Sequence, residues 1–255
     1  MGASSAGEPS RRLGLGGARW PTIEGDPPLV LVPIGSLEQH GPHLPLATDS
    51  MLACAATREV AVRLDASGVR VLVAPALAYG ASGEHEDFPG TISIGHEALY
   101  LLLVELGRSA CRWAKGLVFI NGHGGNVPTV VSAVTTLRDE GRPAAWTGFG
   151  VLGGDAHAGR TETSLLRNLA PWTVRVDLAE AGATEPIDQL MPRLRSVGVR
   201  TVSPNGVLGD PTGSSPEEGR RLFEVLVNRL QGELTDLDVG SDGRLGRPER
   251  STVGS

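Results

Sequence analysis

Residues 35 to 50 read GSLEQHGPHLPLATDS, which brings Glu38, His40, His43 and Asp49 close together in a chain that holds only 6 histidines. Glu38 and His40 are two apart, so in an extended segment both side chains project to the same side. Asp49 follows at the expected start of the next helix. A carboxylate, an imidazole and a second carboxylate arriving from a strand end and a helix start form a mixed nitrogen and oxygen set suited to zinc, iron or manganese. Taken singly, Asp49 would only cap its helix and His40 would only bond backbone in a Gly-Pro turn. Taken together, they read as a cation site.

Three other stretches repeat the pattern. LVFINGHGGN runs from a buried segment into His123, and the flanking glycines let backbone pass close to a ligand, so His123 is a natural further ligand. GDAHAGRTETS carries His157 and Glu162, and YGASGEHEDFPGT carries Glu84, His85 and Glu86. Five of the six histidines thus follow expected strand ends, and His96 alone sits in a helix start. A nucleotide site is disfavoured: G-x-x-x-x-G-K-[ST] does not occur, and the single G-x-G-x-x-G, GFGVLG at 148–153, runs into the loop of His157 rather than directly into a helix.

Ions in a carboxylate-rich shell lower the pKa of bound water to about 7 and polarise a carbonyl, so hydrolysis of an amide is the expected reaction. The departing amine then needs a proton, for which His157, Glu84 and His85 are the candidate general acids. Serine catalysis is disfavoured, since no G-x-S-x-G elbow occurs and Ser36 and Ser82 lack an obvious base partner. The H-E-x-x-H pair is absent too.

Positioning these groups is the task of the elements before them. LVLVPI (29–34), VRVLVAPA (69–76), GLVFING (116–122) and AAWTGFG (144–150) read as buried strands, separated by helical periodicity at 50–64, 96–114 and 127–140. A last helix is expected over 216–235, capped by Ser215 with Pro216 in its first turn. The alternation predicts an α/β fold, a single domain whose mostly parallel sheet is covered by helices on both faces. In such sheets ligands bind beyond the carboxyl ends of the strands, where all four clusters fall. Residues 1–11 and 238–255, polar and Gly-rich, are expected to be disordered on either side of a domain over 12–237. Residues 180–214, rich in Gly and Pro, read as one long irregular stretch able to serve as a lid or an oligomer contact.

Composition narrows the partners. With 23 basic and 29 acidic residues, a net charge of −6 and Lys115 as the only lysine, no basic tract can track a phosphate backbone, and nucleic acid is not an expected partner. No apolar run approaches the length of a membrane span and no secretory leader is legible, so a cytoplasmic location is expected. Cys54 and Cys111 lie far apart in helix-like segments and read as thiols rather than a disulfide.

In this order and spacing, GSLEQHGPHLPLATD, EHEDFPGT, NGHGGN and HAGRTETS resemble the motifs of the creatininase family of metal-dependent amidohydrolases, over about residues 28–235. The resemblance implies that Glu38, His40, Asp49 and His123 hold one or two ions per subunit, with Asp49 bridging. It also implies a homo-oligomer, a hexamer or octamer. In YGASGEHEDFPGT, in DAHAGRTETSLL and, late in the chain, in SPNGVLGDPTG, the sequence is similar to a peptidase branch of the family, dependent on iron or zinc, that releases a C-terminal dipeptide from a modified precursor peptide in redox-cofactor biosynthesis. The alternative is an amidohydrolase of a small cyclic amide or formamide; a non-enzymatic scaffold would not need both the ligands and a candidate acid. The creatinine-hydrolysing members carry glutamates where this chain has Gly125 and Ala156, which argues against creatinine. Glu162 is the expected substitute for the ligand missing at Gly125.

Overall fold

The computed structural model describes residues 12–150 and 154–246. Four strands, β1 (Leu29–Ile34), β2 (Val71–Val73), β3 (Gly116–Asn121) and β4 (Ala144–Gly148), form one all-parallel sheet in the order β2-β1-β3-β4. β1 matches its expected bounds. β2 is shorter than the run 69–76, because Pro75 has no N–H to continue the ladder.

The long helices are α1 (Thr48–Ala66), α2 (Gly95–Ala110), α3 (Val127–Asp139), α4 (Arg160–Leu169), α5 (Ile187–Val202) and α6 (Pro216–Asp236). As expected, Ser215 caps α6, its side chain accepting from the Glu218 N–H at 3.1 Å. Alternate strand residues supply two cores. Leu31, Val118 and Ile120 pack with Ala56, Val60 and Leu64 of α1 and Leu226, Leu230 and Leu234 of α6. Val30, Val32, Leu117 and Phe119 pack on the other face with Leu99 and Leu103 of α2 and Val130, Val134 and Leu137 of α3. Complete burial of one such side chain contributes roughly 1.5–3 kcal/mol, so these two layers hold the sheet rigid.

The chain leaves β1 for β2 on one side and returns to β3 on the other, so the strand order reverses between β1 and β3. In open α/β sheets that crevice, at the carboxyl ends, is where ligands bind. Gly122, just past β3, lets α1 start beside it: a Cβ there would stand 2.9 Å from the Asp49 carbonyl and 3.1 Å from the Ala53 side chain. Asp49 therefore enters the crevice from the first turn of α1.

Two stretches depart from the sequence reading. Residues 180–214 contain α5, whose Leu190, Leu194 and Val199 pack with Leu208 and Phe88. Pro192 within the helix and Gly198, at φ 73°, interrupt the periodicity that would have announced it. The expected disordered tail begins with packed residues: Leu245 is buried, Trp146 donates its N–H to the Gly243 carbonyl at 3.0 Å, and the Leu245 N–H bonds the Trp146 carbonyl at 2.8 Å. At the opposite side of the sheet the Val73 N–H donates to the Leu13 carbonyl at 2.8 Å. The disorder expected for 1–11 and 247–255 lies outside the described residues. Cys54 and Cys111 are free and half-buried. Among the described residues no helix is long and apolar enough to cross a membrane.

Candidate active site

Eight of the residues singled out from the sequence, Glu38, His40, Asp49, Glu84, His85, His123, His157 and Glu162, meet at the crevice between β1 and β3. Glu38 is completely buried, and its Oε1 has His123 Nδ1 at 3.2 Å, His85 Nε2 at 3.4 Å and His157 Nδ1 at 3.7 Å. Asp49 is shared between two histidines: Oδ1 lies 3.1 Å from His40 Nε2, and Oδ2 lies 3.3 Å from His123 Nδ1. Glu162, in the first turn of α4, brings Oε2 to 3.9 Å from His40 Nε2 while accepting the Ala158 N–H at 2.6 Å. Ala158 itself is held at φ 53°, a left-handed strain of the kind that collects at functional sites.

Each of three imidazoles spends one nitrogen on a main-chain carbonyl. His40 Nδ1 meets the Glu38 carbonyl at 3.1 Å, His123 Nε2 the Ala81 carbonyl at 3.2 Å, and His157 Nε2 the Gln39 carbonyl at 2.8 Å. A carbonyl oxygen only accepts, so those nitrogens carry the hydrogens and the opposite nitrogens face the carboxylates. That is the outer-shell arrangement which orients histidine ligands of a metal. Meanwhile both Glu38 oxygens and Asp49 Oδ2 are buried without a hydrogen bond among the described residues, a costly state for a carboxylate unless a cation is its partner.

The electrostatics agree. Burial alone would depress His40, but Asp49, Glu162 and Glu38 outweigh it and push the ring up to about 10. Burial would likewise depress His123, yet Glu38, Asp49 and Glu84 raise it well above its ordinary value. Asp49 is held far below the usual carboxylate range, its burial overcome by His40 and His123. Burial drives Glu162 up to about 7, opposed by His40 and reinforced by Asp49. The cluster thus holds more negative charge than its imidazoles neutralise, the condition a divalent cation meets. Ligand-capable atoms fall into the groups Glu38–Asp49–His123 and His40–Asp49–Glu162, with Asp49 common to both. A third group joins Glu38, His40 and His157.

The space over Gly125 is taken from another loop. A Cβ at residue 125 would stand 2.6 Å from Glu84 Oε1 and 2.4 Å from His123 Nε2, and Glu84 Oε1 is 3.5 Å from His123 Nε2. Glu84 therefore fills the place that a side chain at 125 would occupy, while Glu162 stands at His40. With side chains 30% and 19% exposed, Glu84 and Glu162 are also where the cluster meets solvent. Glu86, by contrast, is exposed and outside it. Ser36 and Ser82 are buried and make no hydrogen bond among the described residues, so neither hydroxyl has a base beside it.

Sequence reasoning passed over Gln39 and Asn126. Asn126 accepts the Ala81 N–H at 2.8 Å and donates to the Gly35 carbonyl at 3.1 Å and to Asn121 Oδ1 at 3.2 Å, tying together the loops after β1, β2 and β3. Both residues stand inside the quoted motifs, Gln39 next to His40 and Asn126 three residues after His123, which is the signal the sequence offers.

Over residues 18–234 the chain matches the family model described as Creatininase: Creatinine amidohydrolase. It is 52% identical over 222 residues to the mycofactocin precursor peptide peptidase of Mycobacterium ulcerans, covering 86% of this chain and 89% of that protein. Against the creatinine amidohydrolase of Pseudomonas putida the identity is 31% over 240 residues, covering 82% and 89%. A solved structure described as Creatininase Mn superposes with a TM-score of 0.72 at 27% identity, covering 88% of this chain and 98% of that one.

Proposed function

This chain belongs to the creatininase family and is a hydrolase of amide bonds, and on that premise we propose that it is a metal-dependent peptidase. Its substrate is a modified precursor peptide of mycofactocin biosynthesis, from which it releases a C-terminal dipeptide. Identity of 52–53% to peptidases of that name, against 31% to a creatinine amidohydrolase, supports this choice. The observation that carries the chemistry is the buried set of Glu38 and Asp49 carboxylates faced by three imidazoles, each oriented by a main-chain carbonyl.

In this reading Glu38, Asp49 and His123 would hold one divalent ion and His40, Asp49 and Glu162 a second, shared through Asp49. The mixed carboxylate and imidazole set suits Zn2+, Fe2+ or Mn2+. When bound, such ions supply polarisation of the scissile carbonyl and acidification of water to about neutral pH. The protein does the rest. Main-chain carbonyls fix the imidazoles, and the burial of Glu38 and Asp49 keeps bulk water from their carboxylates. His157, His85 and Glu84 line the same space and move protons between the attacking water and the departing amine. Glu84 stands on the solvent side, from which a peptide terminus would enter.

We also propose that the protein works in the cytoplasm as a homo-oligomer, a hexamer or octamer. Exposed Trp172, Leu101 and Trp113 support association.

The test is mass spectrometry of the modified precursor peptide after incubation with metal-loaded protein. Loss of the C-terminal dipeptide, with no creatinine turnover, is the expected result. Creatinine hydrolysis at a rate comparable to peptide cleavage would overturn the substrate assignment.

A further inference from the structure

His85 differs from the other three imidazoles of the cluster in touching no main-chain carbonyl. Its Nδ1 lies 2.8 Å from the side-chain nitrogen of Gln39. That carboxamide is buried and can adopt only one orientation. Its oxygen accepts the Gly41 N–H at 2.9 Å, and its nitrogen lies 2.9 Å from the Gly206 carbonyl. Reversing the amide would set oxygen against a carbonyl oxygen and N–H against N–H, so the nitrogen must face Gly206 and His85.

The two hydrogens of that nitrogen can then be counted. It has three neighbours: the Gly206 carbonyl, His85 Nδ1, and His157 Nε2 at 3.1 Å. His157 Nε2 cannot accept, because it already donates its own hydrogen to the Gln39 carbonyl at 2.8 Å. One amide hydrogen therefore goes to Gly206 and the other to His85 Nδ1. An Nδ1 that accepts leaves the single hydrogen of a neutral ring on Nε2, the atom 3.4 Å from Glu38 Oε1. His157, with its hydrogen on Nε2, turns a bare Nδ1 toward the same oxygen at 3.7 Å. The ring centroids are 4.5 Å apart.

We propose that Gln39 is a positioning residue that holds both rings as Nε2–H tautomers, its side chain fixing His85 and its main-chain carbonyl His157; because the two rings turn opposite nitrogens toward Glu38, His85 offers an N–H and His157 a bare nitrogen to one space. The assignment makes His85 a hydrogen-bond donor for a substrate oxygen or a departing amine rather than a ligand, and His157 the proton acceptor. This division of labour rests on the peptidase reading, whereas the tautomers do not.

The experiment is long-range 1H–15N correlation NMR of histidine-labelled, Zn2+-loaded protein, with His85→Gln and His157→Gln identifying the signals. Wild-type protein should show a pyrrole-type Nε2 and pyridine-type Nδ1 for His85, and Nε2–H for His157. Gln39→Met, of similar length but without a donor, should release His85 into a mixture of tautomers and lower kcat about 10- to 100-fold with little change in KM, the range for outer-shell partners. Should that variant not fold, Gln39→Glu, which can only accept from His85, should move the hydrogen onto Nδ1. An Nδ1–H His85 in the wild type, or an unchanged His85 tautomer in a folded Gln39 variant, would overturn the proposal. If the tautomers are as stated and no peptide is cleaved, the peptidase reading fails and the positioning role of Gln39 stands.

Discussion

The protein contains two dense clusters of opposite charges in contrasting surroundings. At the crevice, Glu38, Asp49 and Glu162 face His40 and His123 with little exposure to solvent. On the outer surface Arg108 forks onto Glu140 and reaches Glu105, and Arg142 joins Glu140 at 2.8 Å. The surface network has better hydrogen bonds and ideal forks, yet water screens it and it contributes little to stability. The buried cluster has orphaned oxygens and an excess of negative charge, and there every charge removed or left unmatched is costly. Hydrogen-bond quality therefore says less about importance here than desolvation does.

The largest effect should come from the residue common to both ligand groups. Asp49→Ala is expected to lose most of its metal by elemental analysis and about 10³-fold or more in activity, on the several kcal/mol that a metal contributes to a transition state. Glu162→Ala should lose less metal. A full metal complement in Asp49→Ala would break the comparison, because the buried carboxylates would then not be a cation site. His157→Ala should keep its metal and lose about 10²–10⁴-fold in rate; an unimpaired enzyme would transfer the proton role to Glu84 or His85.

Chelation sharpens the same contrast through stability. A cation present at about 100-fold above its dissociation constant adds roughly 2.7 kcal/mol, so its removal should lower Tm by about 5–10 °C in calorimetry. An unchanged Tm would mean that the cluster is balanced without the ion. The smallest effect belongs to the surface. Hydrogen bonds from Arg108 and Arg142 hold Glu140 down to about 2 from 4.5. Its folded-state value is depressed, so its contribution is present above pH 4.5 and fades as pH falls toward 2. Glu140→Gln should shift Tm at pH 7 by less than about 2 °C, and 0.5 M salt should erase the difference. A larger, salt-resistant loss would show that the outer network is more than a solvated face.

Much of this was readable beforehand because apolar runs and strand ends coincide. LVLVPI is a strand over its whole length, and Glu38, His40, His123 and His157 follow strand ends that must share one edge of a parallel sheet. What escaped depends on contacts between distant segments. Nothing local announces that Glu84 closes over Gly125, since that proximity requires the loop after β2 to fold across the one after β3. The helix α5 was hidden because Pro192 and Gly198 break its period, although Leu190 and Leu194 keep the spacing of a buried face. Gln39 was hidden by its neighbours: between a carboxylate and an imidazole, an amide reads as a spacer until its two hydrogens are counted.

The main-chain bonds at Leu13 and at Gly243 and Leu245 lie on the outermost strands, β2 and β4. An open parallel sheet otherwise offers a row of unpaired N–H and carbonyl groups along each border, a template on which another chain can add a strand. Here each end of the fold is laid along one border, so the sheet is guarded by the segments that flank it. A chain cut after Leu237 would keep every residue of the crevice and its catalytic chemistry, yet it would expose the β4 border. Its failure would be colloidal rather than enzymatic, with active protein gradually lost to strand-on-strand aggregation.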